Sequence, residues 1–240
     1  MDVPQRVSGV EITSQINRFV GVLDQSARNE AAVWIVQEKT DVVVLLSAWG
    51  TGSTSVAGYL DRCGVYTCPP HQETIDERTP NAYEPQAYRA ALADVIDEFT
   101  LEPKGDADSF RAFLEPWIEG EREKAADANA PMIALKHPLQ TYLLPVLEEV
   151  LRPRYVLITR PFADIEATRQ RRVWHPVYGE AGAQQIYGVL YTWLHDSARP
   201  YLGLPYAAFR SDPGLRRKLL EFLDLDPPPD SLRAAEDWVR

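Results

Sequence analysis

Apolar positions along the chain fall into two rhythms. Three short runs are continuously apolar: Val42-Val43-Val44-Leu45-Leu46, Met132-Ile133-Ala134-Leu135 ending in Lys136, and Tyr155-Val156-Leu157-Ile158 leading through Thr159 to Arg160. Runs without alternation fit strands covered on both faces, as in a parallel sheet. Between and after them apolar residues recur at helical spacing. Val56, Leu60 and Cys63 do so until Gly64, a helix stop. Leu143, Leu144, Leu147 and Val150 mark a helix over Leu139 to Leu151, and Ile186, Leu190, Trp193 and Leu194 mark one over Gln184 to Ala198. The same spacing predicts helices over Tyr88 to Phe99, Phe110 to Ile118, Ala163 to Arg172 and Asp212 to Leu223, with a short one after Pro227-Pro228-Pro229. Tyr206-Ala207-Ala208-Phe209 is expected as a short strand, Glu119 to Asn129 as a solvated helix end or loop, and Val33 to Glu38 as a helical piece of a lead-in over 1–40.

Strands alternating with helices imply an α/β fold: parallel strands joined by right-handed crossovers, with helices on both faces. With 240 residues the chain suits a single domain spanning 1–240. Ligands of such sheets bind beyond the C-terminal ends of the strands. That places three segments on one rim: the loop 47–55, Lys136-His137, and Arg160.

Composition narrows the partners. The formal net charge of −10 disfavours nucleic acid, which needs a basic face, but leaves room for a small anion held by a local cluster of cations. Two cysteines make no disulfide framework and fit a reducing compartment. No signal-peptide pattern follows Met1, and no apolar run is long enough to span a bilayer, so a soluble cytoplasmic protein is expected. Oligomeric state, a homodimer included, is left open.

The loop Ser47-Ala48-Trp49-Gly50-Thr51-Gly52-Ser53-Thr54-Ser55 joins a strand to a helix and is rich in small and hydroxylated residues. Such a loop curls closely around an anion, with its amides and the following helix N-terminus presenting partial positive charge. It is not a Walker A loop. Gly52 and Thr54 fit that pattern, but Ser47 stands where its first Gly belongs and Ser53 where its Lys belongs. The other rim strands end in Lys136 and Arg160, where a nucleotide hydrolase commonly ends one in an Asp for magnesium. Cations at both places suit direct contact with an anion and indicate no metal site.

These residues resemble the sulfotransferases that use 3′-phosphoadenosine 5′-phosphosulfate (PAPS), in particular a divergent bacterial-type branch. Thr51-Gly52-Ser53-Thr54-Ser55 is similar to that family's 5′-phosphosulfate loop, with Thr51 in place of the usual basic residue and the Gly and Ser exchanged. Arg160, followed eight residues on by Thr168, is similar to its Arg and Ser for the 3′-phosphate, although Pro161 replaces the usual Asp or Asn. Lys136-His137-Pro138 with Leu143-Leu144-Pro145, and Leu204-Pro205-Tyr206 through Leu225, complete a likeness running from about 42 to 225. The resemblance implies a three-layer α/β sandwich with a mostly parallel central sheet, of the P-loop NTPase-like sulfotransferase kind. It also implies transfer of a sulfuryl group from PAPS to a hydroxyl or amine of a small-molecule or sugar acceptor, leaving 3′,5′-adenosine bisphosphate (PAP) and using no metal. Gly50, Thr51, Gly52, Ser53, Thr54, Ser55, Arg160 and Thr168 would bind the donor. Lys136 would neutralise the leaving phosphate and His137 would act as base, with His71 and Glu73 as rivals. The segments 69–130 and 173–185 would shape the acceptor side.

Each feature also has a plain structural reading. Ser53-Thr54-Ser55 suits an ordinary helix N-cap, Arg160 and Lys136 suit ion pairs, and His137 suits a core position. Cys63, Cys68 and His71 lack a fourth zinc ligand. Arg169, Arg171 and Arg172 fit either a solvated helix face or a source of the cation missing from the loop. Trp174, Tyr191 and Trp193 fit a core or an acceptor pocket. A P-loop kinase or hydrolase, and a catalytically inactive relative, are the competing functions.

Overall fold

The computed structural model describes residues 42–74 and 79–239. The expected lead-in helix at Val33 to Glu38 lies outside the described residues. Strand β1 (Val42–Leu46) enters the loop 47–52, and helix α1 (Ser53–Arg62) leaves it. A hairpin of β2 (His71–Glu73) and β3 (Asn81–Pro85) follows, then α2 (Gln86–Val95) and α3 (Ala107–Asp127). Next come β4 (Ile133–Lys136), a 3-10 helix over Pro138–Leu143, α4 (Leu144–Leu151), β5 (Arg154–Thr159) and α5 (Phe162–Arg172). A 3-10 turn at Pro176–Tyr178 leads to α6 (Glu180–Ser197), β6 (Tyr201–Pro205), α7 (Tyr206–Ser211), α8 (Pro213–Leu223) and α9 (Pro229–Val239).

The main sheet has four parallel strands in the order β4-β1-β5-β6. All five residues of β1 are buried, which is why the run carries no alternation. One face of the sheet, with Val43, Leu45, Val156 and Ile158, packs in a single cluster with Val56 and Leu60 of α1, Leu219 and Leu223 of α8, and Val239 of α9. On the other face, Tyr155 meets Trp193 of α6 edge-on, and its hydroxyl donates to Glu148 of α4. Helices on both faces make the three-layer α/β sandwich that strand–helix alternation predicts. No described helix is long and apolar enough to cross a membrane.

Several predicted elements shift. The expected strand at Tyr206–Phe209 is helical, and the strand lies just before it at Tyr201–Pro205. As an edge strand, β6 is mostly exposed and carries Gly203 and Pro205, so it shows neither an apolar run nor clean alternation. The charged stretch after Ile118 belongs to α3, whose buried side continues through Glu121 and Ala125. The helix expected from Leu139 starts as a 3-10 turn, because the His137 ring caps the Leu139 amide and Pro138 opens the turn. The β2–β3 hairpin falls in a segment whose prolines suggest only loop. Its register is broken, and Tyr83 sits at φ 56, so apolar and polar positions do not alternate there.

Candidate functional site

The C-terminal ends of β1, β4 and β5 bring the loop, Lys136 and Arg160 to one rim. Within the loop, Gly50 and Gly52 take φ 73 and φ 93, in the left-handed region where a Cβ is strained. At Gly52 a Cβ would also overlap the Tyr206 ring, which lies directly on the loop. The Thr51 hydroxyl donates to the Ala48 carbonyl at 2.9 Å and braces the loop from inside. Gly52 caps α1, so the Ser53 and Thr54 amides open the helix and have no carbonyl one turn back. Free amides at a helix start can receive an anion.

Arg160 ties the end of β5 to this loop. Its Nη1 donates to the Gly50 carbonyl at 2.9 Å and to the Thr168 hydroxyl at 3.2 Å. Thr168 in turn donates to the Asp164 carbonyl, one turn back in α5. The guanidinium lies 5.6 Å from the Tyr206 ring centre and 3.8 Å from the Asp164 carboxylate. Arg160, Gly50 and Thr168, picked from separate segments, therefore meet in one hydrogen-bonded group. Arg169 does not supply the loop's missing cation: its Nη2 is 2.6 Å from the Glu166 carboxylate. Arg172 lies over the Trp174 ring.

Lys136 sits beneath the other side of α1. Its ammonium donates to the Ala82 carbonyl at 2.8 Å, to Glu84 Oε1 at 2.8 Å, and to the Thr54 hydroxyl at 3.3 Å. Glu84 comes from β3, and no motif in the sequence marks it. Burial pushes its carboxyl up, but the charge and hydrogen bond of Lys136, with the charge of Arg89, outweigh that and hold it below the usual carboxylate range.

His137 is fully buried, and its Nδ1 accepts the Leu139 amide at 3.2 Å. An accepting Nδ1 fixes the proton of the neutral ring on Nε2. Nε2 has no hydrogen-bond partner among the described residues and stands 3.8 Å from Glu84 Oε2. Burial pushes the imidazole down to about 4, with Lys136 and Arg89 acting in the same direction against Glu84. At neutral pH the ring is therefore uncharged and offers a donor toward Glu84.

The rival His71 is engaged at both nitrogens. Nε2 meets the Thr67 carbonyl at 2.6 Å, and Nδ1 meets Asn81 Nδ2 at 3.0 Å. The Tyr83 amide donates to Asn81 Oδ1, which leaves the Asn81 amino group to face the ring. Glu73 is exposed on β2. Cys63 and Cys68 are buried free thiols that burial pushes up, and no metal-binding group of His, Cys, Asp or Glu occurs among the described residues. Trp193 is half-buried and packs edge-on against Tyr155, whereas Tyr191 is exposed beside Tyr187. Tyr206 and Glu84 are the site residues that sequence reasoning missed. Tyr206 opens a stretch that reads as a strand, and Glu84 sits in a segment without periodicity.

No protein-family model matches the sequence, and no curated protein matches it. Among solved structures the chain is similar to the sulfotransferase domain of the Synechococcus PCC 7002 olefin synthase, with 20% identity over 82% of this chain and 80% of that one, at a TM-score of 0.49. It is also similar to the sulfotransferase STF9 from Mycobacterium avium, with 13% identity over 94% of this chain and 72% of that one, at a TM-score of 0.46.

Proposed function

We propose that this protein is a sulfotransferase that takes a sulfuryl group from PAPS and gives it to a hydroxyl of a small acceptor. The observation that carries the reading is Arg160. A cation at the end of one strand bonds both the carbonyl of the anion loop and a hydroxyl eight residues on. Its five-donor fork has further N–H groups for a phosphate, with the Thr168 hydroxyl beside them. Ser53, Thr54 and the amides around Gly52 would hold the 5′-phosphosulfate. Tyr206, lying on Gly52 and near Arg160, would wall the site on the β6 side.

Transfer is an in-line displacement at sulfur. The acceptor oxygen forms the new S–O bond, the bond from sulfur to the 5′-phosphate oxygen breaks, and that oxygen leaves with the electron pair. The protein's work is positioning and charge stabilisation. Lys136, which donates to the Thr54 hydroxyl at the helix start, would meet the leaving oxygen. The acceptor proton needs a base. Glu84 is ionised and next to Lys136, whereas His137 presents a proton rather than a lone pair. We assign the base to Glu84 and the holding of its carboxylate to His137. When Lys136 turns toward a bound phosphate, the Glu84 carboxylate loses its closest positive partner and becomes a stronger base.

Calorimetric titration with PAP, without magnesium, tests the donor site. The wild type is expected to bind in the micromolar range, and Arg160→Ala to weaken binding by about tenfold or more, roughly 1.4 kcal/mol. No binding by folded wild type overturns the reading.

A further inference from the structure

Three segments that are far apart in sequence meet at an aromatic surface beside the rim. Trp49 comes from the anion loop, Phe99 from the turn after α2, and Trp174, His175 and Tyr178 from the segment between α5 and α6. Tyr178 is the hub. Its ring centre lies 4.6 Å from Trp49, 6.1 Å from Phe99 and 6.3 Å from Trp174, and Phe99 meets His175 at 5.1 Å. Trp49 also faces the His137 ring edge-on at 6.3 Å. The surface therefore starts where the buried, unpartnered His137 Nε2 and Glu84 lie.

Phe99 is held out deliberately. It is 56% exposed, yet the Asp97 carboxylate accepts both the Phe99 and Thr100 amides at 2.9 Å and fixes the turn that presents it. The neighbouring Glu98 is paired with Arg89 through both carboxylate oxygens. Phe99 and His175 are exposed and Trp49, Trp174 and Tyr178 are half-buried, and beside them lie the Asp97 and Glu98 carboxylates and the Arg89 guanidinium.

The angles between the rings select the ligand. Tyr178 is tilted 45° to Trp49, 37° to Phe99 and 90° to Trp174. No two parallel faces are spaced to clamp a flat ring. A one-sided, stepped aromatic surface instead suits the C–H face of a pyranose, whose hydroxyls then reach the polar rim. At this rim Glu98 is paired with Arg89 and the Asp97 carboxylate is engaged by two amides, an arrangement that suits a neutral hydroxylated acceptor.

We propose that the acceptor is a neutral carbohydrate, laid on the Trp49–Tyr178–Phe99 surface with one hydroxyl directed toward Glu84. The inference rests on the sulfotransferase reading for its chemistry, but sugar binding itself needs no donor. Saturation-transfer NMR is therefore the test, with methyl β-D-glucopyranoside and methyl β-D-galactopyranoside as probes and p-nitrophenol as the flat-ring control. PAP titration is run on the same samples. At least one glycoside is expected to give transfer to its ring C–H protons. Phe99→Ala and Tyr178→Ala are each expected to weaken that binding about fivefold or more, roughly 1 kcal/mol, with PAP affinity unchanged. Signal from the phenol alone, from no probe, or from a glycoside indifferent to both substitutions overturns the proposal. PAP binding without glycoside binding would remove the sugar surface and leave the donor site standing. Glycoside binding without PAP binding would do the reverse.

Discussion

Lys136 and Glu84 form an ion pair at 2.8 Å with side chains 4% and 12% exposed, joining the end of β4 to β3. Two charges so placed have given up most of their water, and each is tolerable only because the other is present. Lys136→Met alone strands a buried carboxylate and is expected to cost about 3–5 kcal/mol of folding stability. The double variant Lys136→Met/Glu84→Gln removes both charges and should recover most of that loss. Urea unfolding of the two singles and the double gives the coupling energy, and simple additivity would mean that the pair is not the interaction described.

His137 gives the protein a pH dependence of a definite sign. Its imidazole is held down at about 4 against an ordinary 6.5, because burial disfavours the charged ring. Above 6.5 the ring is neutral in both the folded and unfolded chains. As pH falls from 6.5 toward 4 only the unfolded chain takes up the proton, so stability drops by up to about 3 kcal/mol. His137→Asn keeps an acceptor for the Leu139 amide and cannot be protonated. Its melting temperature should fall less between pH 7 and 4.5 than that of wild type, and parallel curves would contradict the assignment.

Gly58 offers a test of packing against helix propensity. In the middle of α1, alanine would ordinarily be favoured by about 1 kcal/mol. Here a Cβ would come within 2.5 Å of the Trp238 indole, which also donates to the Ser55 carbonyl at 3.0 Å. Gly58→Ala is expected to destabilise by about 1–3 kcal/mol. In a Trp238→Ala background the same change should be neutral or stabilising. Thermal unfolding of the four proteins decides it.

The legible parts of this fold are those where local pattern and final environment agree. β1, β4 and β5 are buried on both faces, so their sequences are apolar throughout, and the loop and cations at their ends follow from the topology. Arg160 and Thr168 are legible only through the resemblance, since Arg160 precedes the helix Phe162–Arg172 that carries Thr168. Glu84 is not, since its meaning comes from Lys136, which stands 52 residues away in sequence. The bulged hairpin that carries Glu84 breaks alternation. Tyr206 reads as β-prone, yet it follows Pro205 into a helix and serves the site through its contact with a glycine in another segment. His137 showed its residue type but not its tautomer, which depends on the single amide at Leu139.

The α1 helix owes its seat to α9, through a hydrogen bond between residues 183 positions apart. Its strand β1 lies between two strands that begin 91 and 112 residues after it, at Ile133 and Arg154 against Val42. Closing such long loops is slow, and local structure cannot nucleate it. During synthesis the loop after β1 would thus wait, unpaired on both edges of its strand, until β4 and β5 had also left the ribosome. The loop is made before either strand that pairs with β1 and becomes rigid only after both, so a nascent chain would expose an apolar strand to chaperones well before it could bind any ligand.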